Sequence, residues 1–181
     1  MKQNIKIAVG GIMAALSLVF LFLFSVFPSA TLAAPAVASI LTVLAVLELN
    51  KKWAVGVFAA VSILSVLIIP SKEAAILYVV FFGYYPILKS VLESKIHKKW
   101  LEMIIKTVMF CVIMFVSYAL MIRFVGIEFD EIQKYGMAAV PALLGLGAVA
   151  FIGYDYCLTL FVSEYIRKWQ KRFNKLFKLG N

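Results

Sequence analysis

Few residues in this chain could do chemistry, and most of them lie inside long apolar runs. Asp155 sits in Gly153-Tyr154-Asp155-Tyr156-Cys157, well within the last of these runs. A carboxylate is costly to hold at membrane depth. Asp155 is therefore a candidate substrate or coupling residue, or else one half of a structural pair. Lys106, near the inner end of the preceding run, is placed to reach the same depth and form that pair; neighbouring tyrosines are the other partners on offer. Tyr78, Tyr84 and Tyr85 gather around Gly83-Tyr84-Tyr85-Pro86. A buried tyrosine wants a partner for its hydroxyl, so these three either line a ligand pocket or tie helices together. Arg123 ends another run, before a loop carrying Glu128, Asp130 and Glu131. It either joins a solvated surface cluster or meets an anionic solute at the outer mouth. Tyr78, Tyr84, Tyr85, Arg123 and Asp155 are thus the candidate solute contacts.

A second kind of chemistry is recognition between helices. Lys6-Ile7-Ala8-Val9-Gly10-Gly11-Ile12-Met13-Ala14-Ala15-Leu16-Ser17 opens an apolar run that carries no charge as far as Phe27. Gly10 and Ala14 are four apart, as are Gly11 and Ala15. On a helix such positions form a flat stripe where another helix can approach closely. The stripe either docks a separate membrane subunit or packs against the chain's own helices. The other side, with Leu18, Phe20, Leu21, Phe22 and Phe24, suits lipid.

Other chemistries find no support in the sequence. No paired carboxylates, Ser-His-Asp set or Cys-His set occurs in a plausible arrangement, so no enzyme activity is expected. There is no Gly-x-x-x-x-Gly-Lys-Ser/Thr loop for ATP. Cys111 and Cys157 fall in separate apolar runs and do not suggest a disulfide framework. His97 is the sole histidine and lies in a lysine-rich loop, which argues against a histidine-based metal centre. Neither cofactor nor metal is expected.

The elements that must position these residues follow from composition. Of 181 residues, 64% are hydrophobic and 15% charged, and the mean hydropathy is +1.00. A soluble domain has roughly 45–50% apolar and about 25% charged residues. The expected fold is an all-α integral membrane protein, a bundle of six transmembrane helices of about 20 residues each. The runs are Ile5 to Phe27, Leu32 to Leu49, Trp53 to Ile69, Ala74 to Leu92, Met103 to Val125 and Met137 to Val162. Pro28, Pro70 and the polar loops divide them, and Gly83 to Pro86 predicts a kink in the fourth. The first run is too long for a cleavable signal and is expected to be retained.

Placing the N-terminus in the cytoplasm puts fifteen of the 18 lysines and arginines inside and three, Lys72, Arg123 and Lys134, outside. The bias alternates through every loop, as the positive-inside rule requires. Both termini are then cytoplasmic and the chain sits in the plasma membrane. The +9 net charge is explained by anionic lipid headgroups rather than by nucleic acid. Residues 1–166 form the transmembrane domain and 167–181 a basic tail. Trp169, Phe173 and Phe177 recur in that tail every four residues, which suits either an interfacial helix or an extension of the last span.

The layout and the first helix, Lys-Ile-Ala-x-x-Gly-x-x-Ala-Ala-Leu-Ser, resemble the substrate-binding S components of energy-coupling factor (ECF) transporters. In that family a small-residue stripe on the first helix docks a transmembrane coupling subunit. The matching positions are Gly11 and Ala15, with Gly10 and Ala14 beside them, and glycine stands where the family has alanine. The resemblance implies a high-affinity binder for a vitamin or similar small-molecule solute, with its pocket in the outer half. The coupling subunit and two ATPase subunits would be its partners, in addition to the lipid bilayer. No vitamin signature is present, and Met1-Lys2-Gln3-Asn4 lacks the histidine motif of metal-binding members, so no substrate is assigned. The alternative is a non-transport structural membrane subunit of a cell-envelope assembly. A lipid-handling role rests on Asp155 alone.

Overall fold

The structure is a computed structural model; it describes residues 3–27, 32–96, 98–125 and 139–170, without the side chains of 99, 117–125 and 139–143. Every regular element among these residues is helical. They are α1 (Gln3–Ser25), α2 (Ala33–Leu49), α3 (Lys51–Ile68), α4 (Lys72–Leu77), a π-helical turn (Tyr78–Phe82), α5 (Tyr85–Lys95), α6 (Lys99–Val125) and α7 (Ala139–Lys168). With α4, the π turn and α5 counted as one interrupted rod, the described residues form six rods. Four described stretches are long and apolar enough to cross a membrane: Gln3–Ser25, Lys51–Ile68, Lys72–Lys95 and Leu144–Lys168. Ala33–Leu49 is apolar but shorter, at 17 residues. The outward faces are apolar too. Ile12, Ile63, Leu67, Leu146 and Val149 are each at least 60% exposed. Water would penalise so much apolar surface, whereas lipid accepts it.

The ends of the helices have local causes. α1 closes with Ser25 Oγ donating to Phe22 O and Phe27 N donating to Phe24 O. A single residue, Asn50, links α2 to α3. It holds φ 97° and ψ 158°, a region that side chains other than glycine rarely occupy. α3 stops at Ile68 because Ile69, which precedes Pro70, is extended, as the proline ring requires. Ser71 caps α4, its Oγ accepting from Ala74 N at 3.3 Å. The cap satisfies a donor left free in the first turn.

The kink expected at Gly83 to Pro86 takes a definite form. Pro86 has no N–H to give, and its ring would press on the carbonyl four residues back, at Phe82. The chain widens just before this point. Gly83 N donates to Tyr78 O at 2.7 Å, five residues back, and a new helix starts at Tyr85 with Pro86 in its first turn, where proline is tolerated.

The chain divides into two compact units, Met1–Lys95 with Leu158–Asn181, and Ile96–Cys157. The core of the first is built from small residues at close approaches: Gly10, Ala14 and Ser17 of α1, Ala34, Ala38 and Ala45 of α2, and Ala54 of α3. Ser17 Oγ donates to Met13 O at 2.9 Å and reaches Ala38 O, on α2, at 3.5 Å. Val57, Val61, Leu21 and Leu49 fill the remaining space. Such packing suits membrane helices, where close backbone contact rather than water exclusion drives association. In the second unit α6 runs antiparallel to the first part of α7. Phe110 stacks on Phe151 with ring centroids 4.7 Å apart and planes 7° from parallel. Gly147 leaves room for the Phe110 ring, which a Cβ there would meet at 3.4 Å.

Candidate functional site

The small-residue stripe on α1 is divided by the fold. Gly10 and Ala14 face inward. A Cβ at Gly10 would meet Val57 Cγ2 at 3.4 Å and Leu49 Cδ1 at 3.7 Å. Gly11 and Ala15, one position further round, are exposed, and a Cβ at Gly11 would meet nothing within 4 Å. Successive residues on a helix are about 100° apart, so two adjacent stripes can serve two surfaces. One is used inside the first unit. The other lies among exposed apolar residues: Ile7, Ile12, Leu16 and Val19.

The tyrosines occupy the interruption between α4 and α5. Tyr78 is fully buried, and its hydroxyl shares a 3.1 Å hydrogen bond with Thr42 Oγ1 of α2. Tyr85 is also buried and stacks on Phe81 with centroids 5.2 Å apart. Tyr84 is half-buried, edge-on to Phe58 at 6.2 Å. Gly83 is the pivot. A Cβ there would lie 2.7 Å from both the Tyr78 and Phe58 rings. The π turn therefore brings its own aromatic rings together with those of α3 and α5 at the price of a position that admits no side chain.

Asp155 and Lys106 meet. In the second unit Lys106 Nζ is 3.5 Å from Asp155 Oδ1 and donates to Glu102 Oε1, one turn earlier on α6. The lysine side chain is 2% exposed, against 17% for Glu102 and 20% for Asp155. A lysine this dry must keep its anions close, since an unpaired ammonium would be prohibitive there. The sequence names Asp155 and Lys106 as possible partners. Glu102 goes unnoticed, although a Glu four residues before a Lys is the favourable order for a helical pair. Arg123 lies in the last turn of α6 with its side chain outside the described residues. Glu128, Asp130, Glu131 and the tail beyond residue 170 lie outside them as well.

Two further polar groups in the first unit carry weaker sequence signals. Lys89 of α5 is 4% exposed. It bonds Glu93 Oε1 and donates to Thr159 Oγ1 of α7, both at 2.8 Å. Glu48 is the penultimate residue of α2 and reads in sequence as ordinary punctuation before Asn50-Lys51-Lys52. Tyr165 of α7 lies beside its carboxylate, and Glu48 Oε1 is buried without a hydrogen-bond partner among the described residues. Beside Tyr165 opens a cleft of about 500 Å³ lined by Leu44, Phe161, Glu164, Tyr165 and Trp169. Among the described residues no three His, Cys, Asp or Glu side chains are grouped to hold a metal ion.

No family model, curated protein or solved structure matches the chain.

Proposed function

We propose that the chain is a solute-binding membrane subunit of the S-component type, working in an ATP-driven ECF-type uptake transporter for a vitamin or similar micronutrient. On this reading it crosses the plasma membrane six times with both termini in the cytoplasm. α1 docks a transmembrane coupling subunit that ATPase subunits drive. The observation that supports it is the divided stripe of α1. Gly10 and Ala14 are consumed by packing within the chain, which leaves Gly11 and Ala15 as a small-residue surface open to a second protein. Tyr78, Tyr84, Tyr85, Arg123 and Asp155 are the solute contacts proposed. Tyr84, half-buried beside the π turn, is the best placed of the three tyrosines to meet a ligand.

The test is a tagged pull-down from native membranes in mild detergent, with wild type and Gly11→Leu/Ala15→Leu compared. Wild type should recover a multi-span protein and two ATPases, and the double variant should lose them and lose uptake while still folding. Equal recovery from both would remove the docking role.

A second reading, a structural subunit of a cell-envelope assembly with no solute, is favoured by a different observation. Tyr78 and Tyr85 are fully enclosed and engaged by Thr42 and Phe81, as residues that tie helices together would be. Recovery of envelope-synthesis proteins in the same pull-down would favour it.

A further inference from the structure

The cleft between the C-terminal ends of α2 and α7 joins three features that fit one class of ligand. Its walls are Leu44, Phe161, Tyr165 and Trp169, apolar and aromatic. Beside Tyr165, one turn beyond Leu44 on α2, is a carboxylate, Glu48, with one buried oxygen that no described residue bonds. Leaving such an acceptor unmade is expensive, and a cationic donor is the partner that would repay it most. No lysine or arginine among the described residues bonds that oxygen. Arg167 and Lys168 are both engaged by Glu164, on the rim of the cleft, and Lys51 donates to Ser90 O at 3.0 Å.

We propose that this cleft binds an aminophospholipid, its primary ammonium reaching Glu48 past Tyr165 and an acyl chain lying along Leu44 and Phe161. Charge complementarity selects the ammonium. The apolar walls select the chain. Trp169, 58% exposed at the mouth, suits the level where headgroups meet hydrocarbon. A cation held among aromatic faces gains further attraction from them. A lipid site here is independent of any solute-transport role.

The experiment is thermal unfolding of the full chain in maltoside micelles with added phosphatidylethanolamine, phosphatidylcholine or phosphatidylglycerol. Phosphatidylethanolamine should raise the Tm most, because a ligand bound to the native state alone stabilises it by mass action. Glu48→Gln keeps the shape and the Tyr165 contact but removes the charge. It should weaken phosphatidylethanolamine binding by about tenfold and erase the preference. Equal shifts from all three lipids in wild type would mean mere filling by acyl chains and would overturn the assignment. So would a preference that survives Glu48→Gln. Hexylamine giving the whole shift would assign the cleft to a free amine instead of a lipid. The wild-type lipid comparison needs no variant, and Tyr165→Phe, expected to weaken the preference, stands in should Glu48→Gln fold poorly.

Discussion

Removing the ammonium of Lys106 leaves Glu102 and Asp155 facing each other without their shared cation. Lys106→Met should therefore destabilise the chain by about 3–5 kcal/mol, the usual penalty for breaking a buried ion pair from one side. The charge-free combination Lys106→Met/Glu102→Gln/Asp155→Asn should recover most of the loss, and thermal unfolding in detergent measures both. Gly83 makes a steric demand instead. The Cβ of Gly83→Ala would fall on the Tyr78 and Phe58 rings, and Tyr78 is held by Thr42. The expected cost is about 1–3 kcal/mol. Asn50 runs the other way: Asn50→Gly relieves a backbone conformation that suits glycine and should gain about 1 kcal/mol, seen as a raised Tm. At this scale the sequence reveals types and approximate depth. Asp155 beside Lys106 is legible because a charge in an apolar run must find its opposite. Glu48 is not, because its partner Tyr165 is 117 positions away and nothing local marks the pair.

The helices themselves are legible almost to their ends. Apolar runs bounded by prolines and lysines predict starts and stops within about six residues of those observed, the widest miss being the end of α7, since length and hydropathy suffice to mark an apolar rod. A kink at Pro86 is likewise predicted, but its resolution into a π turn depends on how Phe58 and Thr42 pack against Tyr78. Which stripe of α1 faces inward is illegible for a similar reason. Gly10/Ala14 and Gly11/Ala15 have the same spacing, and tertiary packing alone separates them. The separation predicts a contrast. Gly10→Leu should collide with Val57 and Leu49 and depress the yield of folded protein. Gly11→Leu should leave stability within about 0.5 kcal/mol of wild type. Size-exclusion profiles and melting curves of the two variants provide the check.

For the whole molecule, the distribution of lysine and arginine makes a topological prediction that side-chain contacts do not. With Cys111 and Cys157 replaced by serine, a cysteine introduced at Lys52 should react with a membrane-impermeant maleimide only after the cells are opened. One at Lys72 should react in intact cells. The opposite pattern would invert the orientation, and labelling of both from outside would break the span count. That several helices are long and apolar enough to cross a membrane is legible from composition alone, because a soluble core has little use for so many apolar residues. The division into two compact units is not, since it depends on which neighbours each half of α7 finds.

The pairing of Lys106 also bears on how the chain is made. α6 emerges from the ribosome before α7, so in the six-span arrangement proposed above Lys106 would meet the bilayer while Asp155 is still unsynthesised. Glu102 lies one turn away on the same helix and bonds Lys106 already. It travels with the lysine as a built-in counter-ion and lowers the charge that the insertion machinery must pass into lipid. Asp155 arrives later and locks a helix that has already entered. The two carboxylates thus act at different times on one ammonium. Loss of Glu102 would be felt as failed insertion, and loss of Asp155 as an inserted helix that does not stay assembled.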